Sequence, residues 1–74
     1  MYHAADCSLC ARALEVVTEA RDELGFDLEL VDIAGDSELE ARYRMLLPVV
    51  EIDGEREFTY FVDSGALRDR LRQR

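Results

Sequence analysis

The chain contains no lysine, one histidine and one proline, and these shortages narrow the chemistry open to it. All nine basic residues are arginine, so reactions of a lysine amine and a lysine anchor for an anionic ligand are excluded. No apolar run approaches the roughly 20 residues that a helix needs to cross a bilayer. No signal peptide precedes the first predicted element, so the sequence predicts a cytoplasmic protein with no membrane partner.

Length and charge limit the class of protein and its partners. Residues 1–74 form a single domain, near the lower size limit for a hydrophobic core that is stable without disulfides, a metal or a partner. The hydrophobic share of 49% is typical of a globular chain rather than a disordered one. A formal net charge of −8 repels nucleic acid and anionic membranes, so neither is expected as a partner. We expect a monomer or a weak homo-oligomer.

The only two cysteines, Cys7 and Cys10, stand where a short strand leads into an amphipathic helix. A thiol at a helix N-terminus lies near unpaired N–H groups and the positive end of the helix dipole. Both favour the thiolate, which is the nucleophile in disulfide exchange. The spacing therefore predicts a redox-active pair. Cys7, just before the helix, faces solvent as the nucleophile, and Cys10 lies one turn in, on the apolar face, as the resolving thiol.

Other interpretations of the C-x-x-C motif stay open. Half of a zinc site has the same spacing, so a metal or iron–sulfur binding module is the first alternative. Two thiolates cannot complete a four-ligand site, and His3 and Asp6 are poor supplements, so no metal ligand is assigned. A redox-inactive scaffold with inert thiols is the second alternative. A structural staple is disfavoured because so small a loop removes little chain entropy.

Hydrophobic periodicity predicts the elements in the first half of the chain. Residues 1–4 can form only a stub of a strand, and Ser8 to Leu24 form a helix. Its apolar face repeats at three- and four-residue spacing and comprises Cys10, Ala13, Leu14, Val17, Ala20 and Leu24. Gly25 is expected to end this helix in the left-handed conformation. Phe26 to Ile33 then form a strand, parallel to the first because a helix separates them. Within that strand, Phe26, Leu28 and Leu30 are predicted to share one face.

The second half begins with a short helix that Asp36 or Ser37 caps and that ends near Tyr43. A strand from Val49 to Ile52 follows Pro48. Asp53-Gly54 is a two-residue hairpin signal, because both residues tolerate the positive φ of a type I′ turn.

Glu57 to Val62 are therefore predicted to return antiparallel to that strand. Asp63 or Ser64 caps a last helix, in which Leu67 and Leu71 form an apolar pair four residues apart. The element order is β-α-β-α-β-β-α. It predicts an α/β sandwich with a mixed four-stranded sheet.

A C-x-x-C that opens the first helix of this order, with Leu46-Leu47-Pro48 before the third strand, resembles the thioredoxin fold. Within that fold, the chain is similar to the small bacterial glutaredoxin-like family over essentially its whole length. Tyr2, five residues before Cys7, and Leu47-Pro48-Val49-Val50 followed by Asp53-Gly54 carry the likeness. The resemblance implies a thiol-disulfide oxidoreductase whose partners are disulfide-bearing proteins or small thiols.

The resemblance also implies a substrate-binding role for Leu47 and Pro48. Pro48 would carry a cis peptide bond and lie against Cys7. The backbone of Leu47 would then be exposed, so that a substrate peptide or glutathione could pair with it like an added strand. The alternative is a proline that merely starts an edge strand.

No cofactor is expected, and glutathione is at most a weakly bound co-substrate. Ala4 and Leu46 stand where true glutaredoxins carry a basic and a polar residue. Their glycine pair is absent, and Phe58 to Phe61 run through that stretch as bulky strand residues. Arg44 is the one nearby cation, and Glu40, one turn earlier, is a ready partner for it. We therefore expect a protein or another thiol to act as the reductant.

Three smaller expectations concern the surroundings of the cysteines. Asp6 either opposes thiolate formation at Cys7 or serves as a turn or N-cap residue. The aromatic residues are expected in the core or on a sheet face: Tyr2, Phe26, Phe58, Tyr60 and Phe61. The first strand is shorter than the family usually has. A natural start upstream of Met1 and association with a partner are the two explanations.

Overall fold

The computed structural model describes residues 1–73 and contains the elements in the predicted order. They are β1 (Tyr2–His3), α1 (Ser8–Leu24), β2 (Val31–Asp32), α2 (Ser37–Tyr43), β3 (Val49–Ile52), β4 (Glu55–Thr59) and α3 (Ser64–Arg72). A 3-10 turn, Arg44–Leu46, follows α2. The strands form one mixed sheet in the order β2-β1-β3-β4. The predicted α/β sandwich is confirmed.

The central strand β1 has only two residues, and it joins the two halves of the sheet. Tyr2 pairs with Val31 of β2 in parallel register and with Val49 of β3 in antiparallel register. The parallel ladder extends by one hydrogen bond on each side. The N–H of Val31 donates to the carbonyl of Met1 (2.9 Å), and the N–H of Ile33 donates to that of His3 (3.0 Å).

Helix α1 has the predicted bounds. Gly25 ends it in the left-handed conformation, with φ of 73°, and its N–H donates to the carbonyl of Arg21 at 2.8 Å. The buried residues of the helix are Cys10, Ala13, Val17 and Ala20. Leu24 was predicted on the same face but is 37% exposed, because the last residue of the helix lies outside both core clusters.

The second strand is shorter than the predicted Phe26 to Ile33. Only Val31 and Asp32 pair, because β1 offers two residues as a partner and a strand needs a neighbour for its backbone groups. The predicted shared face also holds only in part, since Leu30 is 45% exposed. A cavity of about 300 Å³ lies between residues 26–29 and β3.

The hairpin between β3 and β4 has the predicted two-residue turn, Asp53-Gly54. Asp53 and Gly54 have φ of 53° and 83°, as the mirror-image turn requires, so Ile52 pairs directly with Glu55. The prediction that this strand runs from Glu57 to Val62 is therefore wrong at both ends. It begins at Glu55 because two residues complete the turn. It stops at Thr59 because Tyr60 adopts a φ of 67°.

Aspartate side chains cap the other two helices as predicted. The carboxylate of Asp36 accepts hydrogen bonds from the N–H groups of Glu38 and Leu39, both at 3.1 Å. That of Asp63 accepts from the N–H of Ala66 at 2.8 Å. Each bond satisfies a donor that the first turn of a helix leaves unpaired.

Two apolar clusters fill the sandwich. One lies among α1, β3 and α3, and its buried members include Val17, Ile52 and Leu67. The other surrounds Cys10 and contains Ala4, Ile33, Tyr43, Leu47 and Val49. Every buried polar side-chain atom in residues 1–73 has a hydrogen-bond partner. None of the described helices combines the length and apolar character that crossing a membrane requires.

Truncation of Leu67 should separate core from surface contributions to stability. Leu67 is 1% exposed, so Leu67→Ala should lower the free energy of unfolding by about 2–5 kcal/mol. Leu30→Ala removes the same atoms from a side chain that is 45% exposed and should cost about 1 kcal/mol or less. Urea unfolding of both variants measures the difference, and equal losses would contradict the core assignment.

The ion pair between α1 and α3 should make stability depend on pH. Arg68 donates to Glu23 at 2.9 Å, and this hydrogen bond and the guanidinium charge hold the pKa of Glu23 below its usual value of 4.5. A carboxyl whose pKa is depressed in the folded state stabilises the protein at pH values above its unfolded-state pKa. This contribution is lost as pH falls through the folded-state pKa. Glu23→Gln should therefore destabilise at neutral pH, and the difference should vanish in strong acid.

Urea unfolding at both pH values tests this expectation. An Arg68→Met background is the matched control, because there Glu23→Gln should have little effect at either pH. A loss that persists unchanged in that background would show that Glu23 acts through another contact.

Candidate functional site

Cys7 and Cys10 lie together at the start of α1, with their Cα atoms 5.2 Å apart and their sulfur atoms at disulfide distance. Cys7 is the N-cap residue, with extended backbone (φ −117°, ψ 107°), and Cys10 is on the first turn. The two differ in exposure, since Cys10 is 3% exposed and Cys7 is half-buried. A reagent from solvent therefore reaches the sulfur of Cys7 more readily.

The sulfur of Cys7 takes the place that an N-cap oxygen usually occupies. It accepts a hydrogen bond from the backbone N–H of Cys10 at 3.1 Å. Cys7 also begins the helical ladder, because its carbonyl accepts from the N–H of Ala11 at 3.2 Å. In the reduced protein such a donor, together with the positive end of the helix dipole, favours the thiolate over the thiol.

The apolar cluster around Cys10 holds the pair in place. Tyr2 of β1 stacks on Tyr43 of α2, with ring centroids 4.1 Å apart and an interplanar angle of 15°. Ile33 is completely buried in the same cluster. Tyr2 therefore lies at the sheet, as predicted. Cys10 is shielded by this packing and is less accessible than Cys7.

The Leu47-Pro48 segment borders the same cluster. The peptide bond between these residues is cis, and Leu47 is 6% exposed while Pro48 is fully buried. The N–H of Tyr60 donates to the carbonyls of Leu46 (3.3 Å) and Pro48 (3.1 Å), so the end of β4 covers one side of the segment. The substrate-binding role of Leu47 and Pro48 stays a prediction.

An ion-pair network lies beside the cysteines. The guanidinium of Arg44 donates to Asp6 at 3.0 Å and also to Glu40. The hydrogen bond from Arg44 and its charge lower the pKa of Asp6, which therefore stays ionised beside Cys7 with its charge partly offset. Asp6 is not the N-cap of α1, since Cys7 holds that position. The expected pairing of Arg44 with Glu40 is confirmed.

Three exposed apolar side chains, one on the first turn of α1 and two between β4 and α3, were missed by the sequence analysis. Leu9 is 44% exposed, Tyr60 49% and Phe61 70%. The prediction that Tyr60 and Phe61 lie in the core or on a sheet face is wrong, because β4 ends before them. The sequence does hold one indication that Tyr60 and Phe61 lie outside the sheet. They stand just before Asp63, the cap of α3, where the chain must turn before it enters the helix.

The remaining candidate residues have structural contacts. The backbone carbonyl of His3 holds the parallel ladder, Asp63 caps α3, and Ser64 accepts a hydrogen bond from Arg68. Within residues 1–73, no three His, Cys, Asp or Glu side chains come together in a group that could hold a metal ion.

Comparison with known proteins agrees with this arrangement. The model of the family described as "Glutaredoxin-like domain (DUF836)" matches residues 1–72. Uncharacterised proteins of Mycobacterium tuberculosis and Mycobacterium bovis are each 36% identical to the chain over 69 residues, which cover 86% of this chain and 71% of the relative.

Two solved structures of target protein XcR50 from X. campestris are similar over the whole molecule. The solution structure has a TM-score of 0.78 at 31% identity and covers 100% of this chain and 91% of its own. The X-ray structure has a TM-score of 0.73 at 29% identity, with coverage of 99% and 93%. The fold is thioredoxin-like. The cysteine pair at the start of α1, the cis-proline segment and the match over residues 1–72 show that the chain belongs to the glutaredoxin-like domain family.

Proposed function

We propose that this protein is a small thiol-disulfide oxidoreductase that uses Cys7 and Cys10 as a dithiol pair. One observation carries the proposal: two sulfur atoms lie at disulfide distance at a helix N-terminus, one accessible and one 3% exposed. An inert pair needs neither the difference in exposure nor the N–H that Cys10 directs at the sulfur of Cys7.

The reaction proceeds in two exchanges. The thiolate of Cys7 attacks one sulfur of a substrate disulfide, a bond forms between Cys7 and that sulfur, and the other substrate sulfur leaves as a thiolate that takes up a proton. Cys10 then loses its proton and attacks the sulfur of Cys7. The second substrate thiol leaves, and the Cys7–Cys10 disulfide remains. Two electrons and two protons pass to the substrate.

The oxidised pair must be reset by a second dithiol or by two external thiols. We propose a protein reductant or a thiol other than glutathione. Ala4 and Leu46 provide no charged or polar side chain for a glutathione carboxylate. Arg44, the one cation expected to serve, already binds Asp6 and Glu40. A net charge of −8 also disfavours an anionic tripeptide at long range.

The direction of electron flow depends on the potential of the cysteine couple. A value near about −270 mV corresponds to a reductant, and one near about −120 mV to an oxidant. We propose reduction of protein disulfides in the cytoplasm, where glutathione and thioredoxin systems keep thiols reduced and a C-x-x-C pair is more often catalytic than structural.

Replacement of each cysteine by serine should have different consequences. Cys7→Ser should reduce exchange to the uncatalysed rate, because it removes the attacking sulfur. Cys10→Ser should leave a protein that reacts once and accumulates as a mixed disulfide through Cys7. Intact-mass measurement after mixing with a disulfide-bearing protein distinguishes the two. If iodoacetamide alkylated Cys10 before Cys7 in the reduced protein, the assignment of roles would be reversed.

Turnover driven by glutathione should be inefficient. The Michaelis constant for glutathione should lie in the millimolar range or above. Arg44→Ala should change it by less than about fivefold, the most that an exposed ion pair contributes. Arg42→Ala, two positions earlier, is the control for a general change in charge. A Michaelis constant far below the millimolar range that rises steeply in Arg44→Ala alone would contradict the proposed reductant.

A further inference from the structure

A slot opens in the sheet beside the start of β1. It is the cavity of about 300 Å³ between residues 26–29 and β3, and Leu67 and Leu71 of α3 also line it. Met1 lies at one end, and the turn of the β3–β4 hairpin lies at the other. Neither cysteine lines this cavity, which we call the Met1 slot, so it is separate from the redox site.

The backbone of Met1 makes the hydrogen bonds of a strand residue. Its amine donates to the carbonyl of Glu29 at 2.7 Å, and its carbonyl accepts from the N–H of Val31 at 2.9 Å. A residue of a parallel ladder bonds its neighbour in this way, and the pattern repeats every second residue. A segment that continued the line of β1 through the slot would therefore bond next to the carbonyl of Asp27 and the N–H of Glu29.

The register of the sheet predicts the neighbours of such a segment. Tyr2 pairs with Val31 in parallel register and with Val49 in antiparallel register. The first position of the slot, two residues before Tyr2, is therefore flanked by Glu29 on one side and Glu51 on the other. Because side chains alternate along a strand, this position shares the face of the sheet on which Tyr2 lies.

The next two positions of the slot differ in character. The second position is flanked by Leu28 and Ile52, which pack in the apolar cluster of α1, β3 and α3. The third position returns to the first face and is flanked by Asp27 and Asp53. The slot therefore suits three extended residues, of which the middle one is apolar and the outer two are basic.

Four carboxylates flank the slot, and none of them takes part in an ion pair found within residues 1–73: Asp27, Glu29, Glu51 and Asp53. Like charges at neighbouring strand positions destabilise a sheet, so basic side chains between them would relieve this repulsion. The net charge of −8 also attracts a cationic segment at long range.

The amine of Met1 determines which end of a segment fits. The chain continues from Met1 into β1, so a bound segment must end there. Burial lowers the pKa of this amine below its usual value, and it outweighs the opposite effect of the charges on Glu29 and Glu51. A C-terminal carboxylate next to the amine would form an ion pair and favour its charged form, whereas a second amine would be repelled.

We propose that the Met1 slot binds the C-terminal end of a partner polypeptide as an added strand, parallel to residues 26–29 and antiparallel to β3. Its last and third-last residues are basic and lie between the four carboxylates. The residue between them is apolar and points toward Leu67, and the terminal carboxylate meets the amine of Met1. Main-chain hydrogen bonds supply affinity and the charges supply selectivity. This proposal is independent of the proposed function, because neither cysteine takes part.

Fluorescence anisotropy with dye-labelled peptides tests the proposal on the 74-residue chain with Met1 as its free N-terminus. The reference hexapeptide ends in arginine-valine-arginine with a free carboxylate. Three others end in an amide, replace valine by serine, or replace both arginines by glutamate. The reference peptide should bind with a micromolar Kd. Each of the others should bind at least about tenfold more weakly, because each lacks an ion pair or the apolar contact.

Selective acetylation provides a second test, because the chain has no lysine and Met1 carries its only aliphatic amine. An N-hydroxysuccinimide ester of acetic acid converts this amine to an amide, which removes the charge and takes the place of the terminal carboxylate. The acetylated protein should bind the reference peptide at least about tenfold more weakly. A Kd that acetylation leaves unchanged would show that the amine is not part of the site.

The double variant Glu29→Gln/Glu51→Gln should weaken binding of the reference peptide by at least about fivefold. Glu15→Gln/Glu19→Gln is the matched control. It makes the same change in net charge at exposed residues of α1 that do not line the slot, so the Kd should stay within about twofold.

Equal affinity for the carboxylate and amide peptides, or an equal loss in the two double variants, would overturn the assignment. Nuclear magnetic resonance titration locates the bound peptide. The methyl signals of Leu28 and Leu71, which line the slot, should shift on addition of the reference peptide, and those of Leu9 on the first turn of α1 should not. Shifts at Leu9 alone would place the peptide on another surface and contradict the proposal.

Discussion

Cys7 occupies the N-cap of α1, and the other features of the site depend on that placement. An N-cap residue has extended backbone, so its side chain can turn back over the first turn and meet unpaired N–H groups there. In this protein the side chain is a thiol, and the N–H of Cys10 is directed at its sulfur. The geometry that starts the helix thus also favours the thiolate, and it leaves Cys10 one turn further on, where the apolar face of the helix enters the core.

The segment from Leu46 to Pro48 joins the site to the rest of the sheet. Leu47 packs in the cluster around Cys10, and the carbonyls on either side of it hold the N–H of Tyr60. The same stretch of backbone therefore packs against Cys10 and fixes the turn at Tyr60. Because β4 has ended at Thr59, the rings of Tyr60 and Phe61 stand at the surface and are not part of the sheet.

Arg44, the cation beside the cysteines, forms ion pairs within the protein and is not free to bind a ligand. Arg44 lies between the carboxylates of Asp6 and Glu40, so the negative charge next to Cys7 is partly compensated and the cation is already engaged. Arg12 of α1 takes part in none of the ion pairs found among the described residues and borders a small apolar cleft between α1 and the turn before α3. The engagement of Arg44 is the observation behind the proposal that the reductant is not glutathione.

Local patterns in the sequence determined the element order, the bounds of α1 and β3, the caps at Gly25, Asp36 and Asp63, and the cysteine pair, because each depends on neighbouring residues and on periodicity. Strand lengths were decided by the tertiary structure. Residues 26–30 read as a strand but lie outside the ladder, since β1 is two residues long. The carbonyl of Glu29 accepts instead from the terminal amine of Met1, at 2.7 Å. The exposure of Phe61 was decided in the same way. The aromatic run before Asp63 resembles a buried strand in the sequence. In the structure Tyr60 has a positive φ, and its N–H donates to two carbonyls from another part of the chain, so the chain leaves the sheet and the ring of Phe61 is exposed.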